Sequence, residues 1–122
     1  MKVISPGHFK WDVPLADETV LDPLPDVPHM SENFCYTGHD AERHIAYYVH
    51  IGRWIKNPEI LREILFVWLP NGDVLWAQSF GRGDCSRGPW AACERLICEA
   101  PGKKIRIVYN GPMQLIPLAK VA

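Results

Sequence analysis

The chain has no excess of charge of either sign. Thirteen lysines and arginines stand against fourteen aspartates and glutamates, a formal net charge of −1 over 122 residues. That balance excludes the broad basic footprint with which proteins hold nucleic acid. The one basic cluster, Lys103, Lys104 and Arg106, flanks a Pro-Gly turn and reads as a solvated hairpin end. Long apolar runs are missing as well. The longest, Ile64 to Pro70, has the length of a strand, and a membrane-spanning helix needs about 20 apolar residues. The first residues reach Pro6 and Gly7 without the apolar stretch of a secretory signal, so the expected compartment is the cytoplasm. Cys35, Cys85, Cys93 and Cys98 form no Cys-x-x-Cys pair. The spacings of structural zinc and redox centres are therefore absent, and free thiols are expected. The Gly-rich stretch Gly81 to Pro89 lacks the lysine and spacing of a phosphate loop, and no dinucleotide fingerprint or nucleophile elbow occurs. No cofactor and no metal is implied. His39, Asp40, Glu42 and His44 crowd one short stretch, but it reads as a hairpin loop with side chains in water.

Aromatic residues are plentiful: five tryptophans, four tyrosines and four phenylalanines. In a domain this small, such side chains build much of the core or line a pocket for an apolar ligand. Prolines crowd the beginning of the chain. Pro14, Pro23, Pro25 and Pro28, with Asp12, Asp17, Glu18, Asp22 and Asp26, make residues 1–29 an acidic strap. Proline removes donors and favours extended neighbours, so this strap is expected to lie irregularly over the rest, anchored by Phe9, Trp11 and Leu15.

Residues 30–122 read as one domain of short β-prone runs separated by turn signals, which predicts an all-β antiparallel sheet. The expected strands are 31–37, 44–51, 63–69, 74–80, 93–98 and 104–109, with a seventh within 113–121 and a helical turn at 59–62. In the second run Ile45, Tyr47, Val49 and Ile51 share one face, and His44, Ala46, Tyr48 and His50 the other. The third run is apolar on both faces, so both are expected to be covered. Pro70-Asn71-Gly72-Asp73 is the clearest hairpin turn. The close spacing of the strands favours a meander.

Three stretches carry a resemblance: Ser31-Glu32-Asn33-Phe34-Cys35-Tyr36, then Tyr48-Val49-His50-Ile51-Gly52-Arg53, then Phe66-Val67-Trp68-Leu69-Pro70-Asn71-Gly72. As an ordered set they resemble the N-terminal lipocalin-like half of the hydroxyneurosporene synthase (carotenoid hydratase)-like and kievitone hydratase-like superfamily, over about residues 29 to 112. The resemblance implies a lipocalin-like sheet or incomplete β-barrel of six to seven strands. The family has two such halves in a longer chain, so the resemblance implies a fragment, a half-size relative, or a subunit that pairs to replace the second half.

Three functions follow as expectations. The first is binding of a hydrophobic small molecule, such as a terpenoid, steroid or polyketide, in an aromatic-lined cavity built from Tyr36, Tyr48, Phe66, Trp68 and Trp76, with Arg53 holding a ligand carboxylate. The second is a hydratase or isomerase without cofactor, with Glu32 or His50 as proton donor. Protonating an alkene needs a positioned acid in an apolar site, and Asp40 and Glu63 are further acids of the right type. The third is a structural half-domain, inactive without its second half or a second subunit. Each residue has a plainer alternative: Glu32 paired with Arg53, His50 hydrogen-bonded in a strand, and the aromatics packed as core. A sheet of six or seven strands leaves edges to cover, by the acidic N-terminal strap or by a second subunit, so a homodimer is expected.

Overall fold

The computed structural model describes residues 19–121. The strap anchors Phe9, Trp11 and Leu15 lie outside the described residues. Seven strands follow in order: β1 (Ser31–Asp40), β2 (Ile45–Trp54), β3 (Asn57–Trp68), β4 (Val74–Arg82), β5 (Glu94–Ala100), β6 (Lys104–Tyr109) and β7 (Gln114–Ile116). A single helical turn, α1 (Leu118–Val121), ends the described chain. The fold is all-β and antiparallel, and the sheet is open. Five strands form one sheet in the order β1-β2-β3-β4-β7, and β5 and β6 form a separate hairpin. The first four strands are thus a meander, while β5–β6 folds away and β7 returns beside β4.

Register divides the large sheet into two unlike faces. Side chains alternate along a strand, and directly paired residues share a face. Phe34 pairs with Ile51, Ile51 with Glu63 and Glu63 with Ser79. This inner face also holds Val49, Leu61, Leu65 and Ala77, and the β5–β6 side covers it with Ala91 and Leu96. Val49, Ile51, Leu61 and Leu65 are each at most 4% exposed. Fully burying such a side chain contributes about 1.5–3 kcal/mol, so this layer holds the hairpin to the sheet. The outer face carries Asn33, Tyr48, His50, Arg62, Phe66, Trp76 and Phe80, and no described strand lies over it.

The turns follow local chemistry. Gly72 has φ +86°, which the 70–73 hairpin requires and a side chain resists. Asp40 accepts from the backbone N–H of Glu42 and of Arg43, 3.0 Å each, and so forms the turn between β1 and β2.

Three elements differ from expectation. β1 continues past Gly38 to Asp40, because the ring of Tyr47 lies over Gly38 where a Cβ would sit. The expected helical turn at 59–62 is strand, because pairing with β2 and β4 puts Leu61 into the core. The seventh strand ends at Ile116, before Pro117, and the chain then turns as α1.

Candidate functional site

The outer face has two parts joined along β3. At one end lies a groove of about 390 Å³ whose lining includes Asn33, Gly52, Trp54, Ile60, Arg62 and Phe80. Trp54 and Phe80 stand at its rim, 67% and 66% exposed. Arg62 has no acidic partner among the described residues, so its guanidinium faces a largely apolar groove unneutralised. Gly52 keeps the floor open, since a Cβ there would come within 2.7 Å of the Asn33 amide oxygen.

His50 lies beneath this groove, 4% exposed. Its Nε2 is 2.9 Å from Asn33 Oδ1. An amide oxygen only accepts, so Nε2 carries the proton and Nδ1 is the free acceptor. Nδ1 is buried without a hydrogen-bond partner among the described residues. Burial holds the His50 pKa below its usual range, and the positive charge of Arg62 adds to this. Neutral His50 is thus a fixed dipole in the groove floor.

Four residues, about 13 Å, further along β3 from Arg62 is an aromatic ridge. Phe66 stacks on Trp68 at 5.8 Å and on Trp76 at 6.4 Å, with ring planes 24° and 23° apart. Tyr48 meets Phe66 at 6.3 Å. These rings lie on an open face and enclose no cavity. Trp68 is 41% exposed.

The structure therefore brings together five of the residues singled out in the sequence, His50, Tyr48, Phe66, Trp68 and Trp76, on the outer face. It places the other three on the inner face. Tyr36 packs against the core. Glu32 and Arg53 form an ion pair there, Nε to Oε2 2.7 Å, with each side chain 9% exposed. The backbone of Leu21 completes it: Leu21 N–H donates to Glu32 at 2.6 Å, and Arg53 donates to the Leu21 carbonyl at 2.5 Å. This pair ties the acidic segment to the sheet. Glu32→Gln keeps an acceptor but leaves Arg53 less compensated. It is expected to lower stability by about 2 kcal/mol, measured by urea unfolding. A change under about 0.5 kcal/mol would remove the pair from the account.

Asp40 is committed to its turn, where the backbone N–H and guanidinium of Arg43 hold its carboxyl below the usual range. Among the described residues no group of three or more His, Cys, Asp or Glu is arranged to hold a metal, and no helix is long and apolar enough to cross a membrane.

Two functional candidates were not singled out by sequence reasoning. Arg62 was read as part of a helical turn. Its signal is period two: Ile60, Arg62, Ile64 and Phe66 share a face once the turn is read as strand. Glu94 is the second. It is fully buried, both carboxyl oxygens lack hydrogen-bond partners among the described residues, and burial, with the charge of the neighbouring Glu63 second, raises its pKa.

No protein-family model matches the chain, and no curated protein or solved structure matches it significantly.

Proposed function

We propose that the outer face binds an elongated apolar molecule carrying an anionic end, such as a carboxylate. The observation that carries this reading is Arg62, a cation without an acidic partner among the described residues, in a largely apolar groove on the same sheet face as a ridge of stacked rings. The anion sits at Arg62, where weak hydration and a forked donor set favour carboxylates. The apolar body runs along β3 over Ile64 to Phe66 and Trp76. Asn33, oriented by neutral His50, supplies a neutral polar contact beside the anion. The resemblance of the 31–36, 48–53 and 66–72 stretches implies an apolar ligand as well. The alternative, a hydratase or isomerase with Glu32 or His50 as proton donor, has less support, since Glu32 is ion-paired with Arg53 and His50 Nε2 is held by Asn33.

The test is tryptophan fluorescence titration with palmitate and with hexadecanol, which differ only at the head group. Palmitate is expected to bind more tightly. Arg62→Ala should weaken palmitate about tenfold and leave hexadecanol unchanged. Trp76→Ala should weaken both. Equal palmitate affinity with and without Arg62, or no binding of either lipid, overturns the reading.

A further inference from the structure

A histidine with one nitrogen engaged and the other idle lies under the Arg62 groove. His50 is 4% exposed. Its Nε2–H donates to Asn33 Oδ1 at 2.9 Å, and Asn33 lines the groove. Cε1 and Nε2 both lie 3.2 Å from where a Gly52 Cβ would sit, so the ring extends along β2 over Gly52, another groove residue. Nδ1 is on the ring edge turned away from Asn33, buried and without a hydrogen-bond partner among the described residues. It is the one ring atom that can accept a further proton. In the free protein that proton is kept off. An Nδ1–H would be a buried donor without an acceptor. Burial opposes the charge it brings, and the guanidinium of Arg62 opposes it as well. The other ionisable side chains beside His50 on this face are Cys35, opposite it on β1, and Tyr48 on β2 itself, whose hydroxyl is 4.0 Å from Cys35 Sγ. Burial pushes Tyr48 above its ordinary range, so the phenol is neutral. On β3, Ile64 is opposite His50, and Arg62 opposite Gly52 is the charged neighbour. Arg53 also lines the groove, its charge matched by Glu32. Among the described residues no carboxylate stands beside His50 on this face, so the free groove offers an imidazolium no counter-charge.

We propose that the groove takes up a proton with its anion: the anionic end of the ligand settles on Arg62, and His50 beneath it is protonated at Nδ1. This rests on the reading of Arg62 as the seat of the anion. The filled groove supplies what the free one lacks. The ligand's negative charge offsets the guanidinium and stands over the imidazolium. Nε2–H stays on Asn33 Oδ1 in both states, so the floor keeps its shape while its charge changes. By linkage, whatever the anion adds to the affinity for the proton, the proton adds to the affinity for the anion. The ligand is therefore held more tightly as pH falls and released as pH rises, across the interval between the titration of His50 in the free and in the filled groove. An apolar alcohol brings no charge and takes up no proton. The site is thus a pH-dependent carrier of anionic amphiphiles, loading toward acid and unloading toward base.

Long-range proton–nitrogen NMR spectra of the full chain, recorded from pH 6 to 8, read the His50 ring directly. Decanoate, ionised throughout this range, should move the titration of His50 to higher pH and place the new proton on Nδ1. Decanol should do neither. Tryptophan fluorescence should show decanoate held about tenfold more tightly at pH 6 than at pH 8. His50→Gln, which keeps an N–H for Asn33 and cannot titrate, should flatten that dependence. Cys35→Ser should leave it in place. Melting curves at each pH establish that every variant is folded where it is titrated. Decanoate binding that is lost in Arg62→Ala but leaves the His50 titration unmoved overturns the inference alone. A pH dependence that survives His50→Gln, or disappears with Cys35→Ser, assigns the proton to another group and overturns it too. Absence of decanoate binding at every pH overturns the reading of Arg62 and the inference together.

Discussion

Wild-type stability is expected to fall steeply between pH 5 and 8, and Glu94→Gln is expected to abolish that fall. Glu94 is fully buried, its two carboxyl oxygens have no hydrogen-bond partner among the described residues, and burial, with the charge of Glu63 as a second cause, pushes its pKa from 4.5 up to about 8. The folded chain therefore keeps this proton over a range in which the unfolded chain loses it. Stability from the retained proton is fully present below pH 4.5 and is lost as pH rises to about 8. Each pH unit in that window costs about 1.4 kcal/mol, so the loss by pH 8 is on the order of 4 kcal/mol. In a small domain with about 5–15 kcal/mol in total, that is a large share. His50 acts in the opposite sense. Its pKa is lowered by burial, so its contribution is lost as pH falls below 6.5. Cys93 and Tyr109, near the same carboxyls, are raised chiefly by burial and titrate above the window. Urea unfolding at pH 5, 6.5 and 8 separates these groups, because only Glu94 differs between the two proteins. Parallel pH profiles for wild type and Glu94→Gln would show that Glu94 ionises normally in the folded chain.

The fold was legible where period two was uninterrupted. In β2, Tyr47, Val49 and Ile51 alternate with Tyr48, His50 and Gly52, and the structure puts the first set inward and the second outward. The 70–73 turn was legible because Asn-Gly has few other uses. The start of β3 was not. Pro58 and the Glu59-Ile60-Leu61-Arg62 run suit a helical turn locally, and only pairing with β2 and β4 makes them a strand. Local propensity is a weak guide where tertiary pairing decides. The β5–β6 hairpin was predicted as two strands, but not its departure from the sheet. Nothing local distinguishes a hairpin that continues a meander from one that folds over it.

The site was legible in part for the same reason. His50, Tyr48, Phe66, Trp68 and Trp76 were marked by residue type, and alternation puts them on one face. Arg53 was marked as a ligand anchor or as a partner of Glu32, and the ion pair occupies it on the inner face. Arg53 and Arg62 both line the groove, and Arg62, the one with no acidic partner among the described residues, was hidden by the misread turn. Burial of a carboxyl is harder still to read. Glu63 falls at an inward position between Leu61 and Leu65, so alternation alone places it in the core. Glu94 falls two before Leu96 in the same way. A carboxyl at a core position of a strand is a signal that its environment supplies donors, or that it keeps its proton. Glu63 shows the first case and Glu94 the second.

Glu63→Ala is the substitution expected to damage the fold most. Glu63 is 2% exposed and gathers three donors from two separate parts of the chain. Ser79 Oγ–H reaches it from β4 at 2.5 Å, and the backbone N–H groups of Cys93 and Glu94 reach it at 3.0 and 2.9 Å. It thus fastens the start of the β5–β6 hairpin to the middle of the large sheet. Removing the carboxylate leaves two backbone donors in a buried place, at about 1–3 kcal/mol each, and opens a void. The expected loss at pH 6 is roughly 4 kcal/mol, read by urea unfolding. Amide exchange should accelerate first at Cys93 and Glu94, and then across β5 and β6. The loss should be smaller at pH 8. Without the charge of Glu63, the Glu94 pKa falls toward its ordinary value, so part of the pH penalty disappears with the substitution. This dependence of one carboxyl on the other distinguishes a coupled pair from two independent buried acids. The combination Glu63→Ala with Glu94→Gln should lose the same stability at both pH values. An equal loss for Glu63→Ala alone at pH 6 and 8 would mean that the two carboxyls do not interact.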